Sequence, residues 1–199
     1  MMMSARRREY LYAMGVQLWV DRANDAALQE PVLSAVPDED VSLYCEGPEQ
    51  APLVIVGGFP TQLDEQQARP FTGQALKLLE QILLASGLNT SARFLIQSVH
   101  VPASGDEHLD VKQLANCRHQ LVQQIKEVSP RVVFVLGEMS AQSLLKSTAS
   151  LSQLAGDSQQ VDDIPCPIIV SHDLACLMRQ PVAKRQAWAD IQRVKALLG

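Results

Sequence analysis

From residue 53 onward, apolar runs four or five residues long alternate with stretches in which apolar residues recur every three or four positions. Leu53-Val54-Ile55-Val56, ended by Gly57-Gly58, reads as a buried strand. Ala75, Leu76, Leu79, Ile82 and Leu83 fall on one helical face, and Gly87 supplies a stop. Phe94-Leu95-Ile96 predicts a second core strand. Leu114, Cys117, Leu121, Ile125 and Val128 step by three and four, giving another amphipathic helix that Pro130 closes. Val132-Val133-Phe134-Val135-Leu136 reads as a central strand ending at Gly137, with a helix over 140–145 after it. Ile168-Ile169-Val170 predicts a further strand, and 182–198 a closing helix with Trp188, Ile191 and Lys195 on related turns. A short strand fits 41–44.

Buried strands alternating with amphipathic helices predict an α/β fold, three-layer α/β/α, around a mostly parallel central sheet. In such sheets the site lies in loops at the carboxyl ends of the strands. Here those loops are 57–73, 97–108, 137–139 and 171–179.

Composition narrows the class. The chain has 199 residues, 47% of them apolar, enough for one domain with a substantial core. Its formal net charge of −5 argues against a protein that coats nucleic acid through phosphate contacts alone. It argues likewise against a module that binds DNA without chemistry. No run of 18 apolar residues exists, so no membrane span is expected. Arg6-Arg7-Arg8 and the apolar residues after them faintly resemble a signal peptide, but Glu9 and Gln17 interrupt it. A cytoplasmic protein is expected. The four cysteines, Cys45, Cys117, Cys166 and Cys176, form no CxxC pair. They predict buried thiols rather than a zinc site or a disulfide framework.

Charge also marks organisation. No Lys or Arg lies between Arg22 and Arg69, while Asp and Glu recur there beside Pro31, Pro37, Pro48 and Pro52. This predicts an acidic connector over 31–52 and an α/β domain over 53–199, while the basic and apolar lead of 1–30, with Arg6, Arg7, Leu11, Met14, Val16 and Trp19, either caps the domain or docks on a partner.

Candidate chemistry is sparse. His172 directly follows an apolar strand, where a catalytic or binding imidazole belongs. His100 and His108 share a loop without metal-ligand spacing. Asp64 and Glu65 are adjacent carboxylates in the first long loop, and Asp64 is a candidate general base. There is no GxGxxG, no GxxxxGK[ST] and no GxSxG, so the sequence carries no nucleotide-binding or hydrolase fingerprint.

From Leu53 to the end the chain resembles the uracil-DNA glycosylase superfamily, in particular its iron–sulphur bacterial branch. Arg69-Pro70-Phe71-Thr72-Gly73 followed by Ala75 and Leu78-Leu79 is similar to that branch's RPFVG…A…LL. Cys117-Arg118, Leu121, Gln124-Ile125, Pro130, Leu136-Gly137, Ala141 and Leu144-Leu145 fit the next block. His172, Leu177, Arg179, Pro181, Lys184-Arg185 and Trp188 fit the last. The resemblance implies that fold. It also exposes departures: Gly58 stands where the family's first loop carries Glu, Thr61 replaces its later Gly, and Ser98 replaces the strand-end Asn. Asp173-Leu174 follow His172 where the family has Pro-Ser. Of four cluster cysteines only Cys117 aligns, so no cofactor is expected.

The opening resembles a second family, the psi subunits of bacterial DNA polymerase III. Arg6, Arg7, Leu11, Gly15, Val16, Trp19 and Arg22 match its RRxxxLxxLG[IV]xxWxxR pattern. The stretch from Gln180 to Trp188 is similar to that family's NPxARxxLW. This resemblance implies a non-catalytic clamp-loader accessory subunit in DNA replication. Arg6, Arg7, Leu11, Gly15, Val16 and Trp19 would then dock on the clamp-loader ATPase subunits, gamma or tau. The body would bind the chi subunit and, through it, single-stranded DNA-binding protein. Taken together, the two resemblances predict that accessory role and no activity of its own. The alternative is a divergent uracil-DNA glycosylase of base-excision repair that uses His172 and a carboxylate such as Asp64.

Overall fold

The computed structural model describes residues 41–58, 60–88, 92–99 and 111–199. The segment 1–30, with Arg6, Arg7, Leu11, Gly15, Val16 and Trp19, lies outside the described residues, as do 31–40 of the connector. Thirteen elements follow in order. They are β1 (Val41–Glu46), β2 (Leu53–Val56), α1 (Gln62–Gln67), α2 (Gly73–Ser86), β3 (Ala92–Val99), α3 (Val111–Val128) and β4 (Val132–Leu136). After these come α4 (Glu138–Leu145), α5 (Leu151–Leu154), β5 (Gln159–Val161), β6 (Ile164–Ser171), α6 (Leu174–Arg179) and α7 (Pro181–Leu198).

The strands form one six-stranded sheet in the order β1-β3-β2-β4-β6-β5. The inner pairs β3–β2, β2–β4 and β4–β6 are parallel, and the two edge strands, β1 and β5, are antiparallel to their neighbours. The fold is therefore the expected three-layer α/β/α arrangement. Strand β1 lies within the acidic segment 31–52 and pairs along its whole length with β3.

Period-two alternation assigns each strand side chain to a face. Leu53, Ile55, Val132, Phe134, Leu136 and Ile169 pack with Leu79 and Leu83 of α2, Leu174 and Leu177 of α6, and Ile191 and Val194 of α7. Val54, Val56, Val133, Val135, Ile168 and Val170 pack on the other side with Leu121 and Ile125 of α3, Leu144 of α4 and Leu154 of α5. Because both faces are covered, β2 and β4 are apolar at every position rather than alternating.

Helix boundaries follow local chemistry. Helix α2 ends at Gly87, whose φ of 74° satisfies the left-handed cap. Helix α7 begins with Pro181 in its first turn, where a missing N–H costs nothing. Its buried stripe is Ala183, Ala187, Ile191, Val194 and Leu198. Trp188 is not on that stripe, contrary to the periodicity reading, and is 45% exposed. The pattern also left α1, α5, β5 and α6 unassigned, since each is only three to six residues long. Arg118 fastens α3 to the far sheet edge: it donates to both oxygens of Asp163 at 2.7 and 2.9 Å and to the Leu144 carbonyl at 3.1 Å. No helix among the described residues is long and apolar enough to cross a membrane.

Phe134, at the middle of β4 and 2% exposed, fills the layer beneath α7. We expect Phe134→Ala to lower unfolding free energy by about 3–5 kcal/mol. Urea unfolding checks this through a fall in midpoint at unchanged slope; a loss below about 1 kcal/mol would contradict the packing described.

Candidate active site

The parallel strands β2, β3, β4 and β6 all end at one edge of the sheet, and the described loops after β2, β4 and β6 meet there. Gly57-Gly58 follow β2, Gly137 follows β4, and His172-Asp173 follow β6. Neighbouring loops approach closely. A Cβ at Gly58 would lie 3.4 Å from Ser140 Oγ, and one at Gly137 would lie 3.3 Å from Asp173 Cβ and 3.9 Å from Ser140 Oγ. Gly58, Gly137, Ser140 and Asp173 are thus gathered from three loops.

Gly137 holds φ at 104°, a backbone conformation that L side chains rarely adopt. Its N–H donates to the Ser171 carbonyl at 2.8 Å, which ties the end of β4 to the end of β6. Helix α4 starts there without a side-chain cap. The first N–H groups of any helix lack intrahelical acceptors, so α4 turns donors toward the strand ends.

His172 is half-buried, with its Nδ1 3.8 Å from the Cys176 Sγ of α6. Asp173 is the N-cap of α6 and accepts from the Cys176 N–H at 2.6 Å. Behind the pair, Ser171 is fully buried and its hydroxyl donates to Asp190 Oδ2 at 2.8 Å. Asp190 is itself fully buried on α7 and receives Arg193 at 2.9 Å and Gln186 at 3.4 Å on Oδ1. Burial pushes its carboxyl above the ordinary range, against the opposing pull of Ser171, Arg193, Gln186 and His172.

The structure places the two carboxylate candidates differently. Asp64 is 3% exposed and accepts four hydrogen bonds. Thr61 donates its N–H and hydroxyl to Oδ2, both at 2.7 Å, and Thr72 donates its N–H and hydroxyl to Oδ1 at 2.6 and 2.7 Å. The first pair belongs to a capping box that starts α1. The second pins the Arg69-Pro70-Phe71-Thr72-Gly73 turn, in which Phe71 enters the core at a φ of 52° and Arg69 ion-pairs with Glu46. With both oxygens committed, Asp64 braces the first loop and is not available as a base. Asp173, by contrast, is exposed at this edge.

Other expected residues are spread out. Ser98 is the penultimate residue of β3, aligned with Ser42 of β1. His100 and His108 lie outside the described residues. The thiols do not fit a four-cysteine cluster. Cys45 is on β1 and Cys166 on β6, four inter-strand steps apart, or about 19 Å at the usual strand spacing. Cys117 is on α3 and Cys176 on α6. Among the described residues no group of three or more His, Cys, Asp or Glu side chains could hold a metal ion.

Comparison with known proteins accords with this architecture. The uracil DNA glycosylase superfamily matches residues 45–192. The chain belongs to that superfamily. It is 23% identical over 159 residues to the Type-4 uracil-DNA glycosylase of Archaeoglobus fulgidus, covering 77% of this chain and 80% of that protein. It is 23% identical over 152 residues to the Type-4 uracil-DNA glycosylase of Pyrobaculum aerophilum, covering 73% and 78%. With the protein of the same name from Saccharolobus solfataricus the identity is 24% over 161 residues, covering 77% and 74%.

These matches correct the expectation of a polymerase III psi subunit in the clamp loader. Family and relatives alike carry the glycosylase name, and none supports a replication subunit. The opening motif behind that expectation was short and lies outside the described residues, and the second stretch, Gln180 to Trp188, falls inside the span that the glycosylase superfamily matches, which takes in β2 to β6 whole.

Sequence reading singled out His172 and missed Ser140 and Asp190. Asp190 had a detectable signal: it sits beside Ile191 on the buried stripe of α7, a carboxylate where the helix needs apolar residues. Ser140 had none, because only the close approach of three loops gives it neighbours.

Two outcomes follow from this geometry. Burial pushes the Asp64 carboxyl up, but the hydrogen bonds from Thr72 and Thr61 outweigh it and hold the group below its ordinary value. Its stabilisation is present above the unfolded-state value and lost as pH falls through the folded one. Asp64→Asn is expected to lower stability at pH 7 by about 1–3 kcal/mol and to flatten the acid side of the stability–pH curve. Urea titrations between pH 7 and pH 3 check both; an unchanged acid slope would contradict the assignment. Gly137→Ala must strain a φ of 104° and crowd Asp173, so a loss of about 1–3 kcal/mol is expected on thermal unfolding.

Proposed function

We propose that this protein is a divergent uracil-DNA glycosylase acting in base-excision repair. The single observation that carries the reading is the position of His172. It stands at the end of β6, where Gly58 and Gly137 let the loops after β2, β4 and β6 approach closely, in a chain of this superfamily.

Removal of uracil breaks the bond between C1′ of the deoxyribose and N1 of the base. The electron pair leaves with the base, spread over N1 and the neighbouring carbonyl oxygen. Water then adds its oxygen to C1′ and releases a proton, so that the products are free uracil and an abasic sugar. The base must first leave the helix stack and enter a closed pocket. A ring N–H of His172 supplies a donor to the carbonyl on which charge develops, which lowers the barrier where the charge appears. The N-terminus of α4 adds backbone donors at the same edge. Asp173, whose Oδ1 caps α6, is the carboxylate at the rim and accepts the water proton.

Gly58 offers no side chain to orient water, and Asp64 is occupied with the first loop. The chemistry accordingly rests more heavily on charge stabilisation than on base catalysis, and turnover slower than in a site holding a dedicated base is expected.

The test is an excision assay with the full chain on single-stranded and duplex DNA carrying one uracil, read as abasic-site cleavage. Wild-type protein should release uracil, and His172→Ala should reduce the rate about 10²–10³-fold. Intact substrate after incubation with stoichiometric wild-type protein would overturn the proposal.

A further inference from the structure

Asp190 is a buried carboxylate that no expectation singled out. It is fully enclosed, 18 residues downstream of His172 in sequence, and yet tied to the residue directly before it. Burying a carboxylate is costly unless it is hydrogen-bonded and charge-compensated. An apolar residue would suit this position on the α7 stripe better if packing were all it served.

The contacts are specific. Oδ2 takes the Ser171 hydroxyl at 2.8 Å, and Oδ1 takes Arg193 at 2.9 Å and Gln186 at 3.4 Å. The Ser171 carbonyl meanwhile receives the Gly137 N–H at 2.8 Å. Ser171 is therefore gripped from both sides, by α7 through its side chain and by the β4–α4 turn through its backbone. The next residue in the chain is His172.

We propose that Asp190 is the positioning residue for His172. Through the Ser171 hydroxyl it fixes the end of β6 from which His172 projects. The catalytic part of this role rests on the glycosylase reading above; the positioning itself does not.

The tie runs through atoms, not through distance alone: Asp190 Oδ2 holds the Ser171 hydroxyl, the Gly137 N–H holds the Ser171 carbonyl, and His172 is the next residue. Loss of either hold on Ser171 frees the segment that carries the ring.

The experiment follows the His172 ring signals by NMR in the full chain at one fixed pH, with His172→Gln identifying them among the four histidines. Asp190→Leu removes the acceptor and Ser171→Ala removes the donor of the same hydrogen bond, and both are expected to move the ring signals. Arg193→Gln, at a side chain 43% exposed, leaves the carboxylate and its bond to Ser171 in place and should move them much less. Excision by Asp190→Leu should fall about tenfold or more at unchanged KM, because the ring is misaimed while base contacts remain.

His172 ring signals moved in Asp190→Leu and in Ser171→Ala, and nearly unmoved in Arg193→Gln, support the positioning role. Ring signals unmoved in both Asp190→Leu and Ser171→Ala, with thermal unfolding still cooperative, overturn it and leave Asp190 as a structural residue. Ser171→Ala keeps the inference testable if Asp190→Leu does not fold. Excision by the wild-type chain separately decides the reaction, so either conclusion can fail alone.

Discussion

Everything at the candidate site depends on the parallel register of β2, β3, β4 and β6. Parallel strands must all run the same way, so their loops open at a common edge. Gly58, Gly137 and His172 are brought to one edge by that direction, from positions spread over 58–172 of the chain. The register in turn depends on helices covering both faces, because strands as apolar as β2 and β4 cannot face water. Fold and site are thus a single consequence of burying the sheet.

Two buried carboxylates then brace separate segments at this edge. Asp64 organises the first loop with four hydrogen bonds from Thr61 and Thr72. Asp190 anchors the end of β6 through Ser171. Both are almost wholly enclosed, but their environments differ. Donors surround Asp64 and stabilise its charge, whereas burial dominates at Asp190 despite Arg193. The exposed Asp173 has the third role, capping α6 at the rim. Three aspartates near one edge thus serve three purposes, and their surroundings rather than their proximity separate them.

Several residues at this edge are accounted for by what the fold asks of them. In the Arg69–Gly73 turn, Phe71 fills the core and Thr72 satisfies Asp64. Gly137 holds a backbone angle that L side chains rarely adopt, and its N–H is bonded to Ser171. The scattered thiols follow the same logic: Cys166 is a core residue of β6, held by burial rather than by chemistry.

The sequence by itself determined the α/β class, the inner strands and the long helices, because hydrophobic periodicity is local and strong in each. It also placed His172 at a strand end, and the motif from Arg69 to Gly73 carried the family. Tertiary structure decided the roles. A carboxylate in an acidic loop looks solvated until Thr72 is seen to close over it. An aspartate in a charged helix looks exposed until its stripe is docked on β6. Short elements such as α1, α6 and β5 also needed the fold, since three to six residues hold too little pattern to reveal themselves. What a side chain does at this edge is fixed by which loops meet there, and that information lies in the packing of distant segments rather than in any one of them.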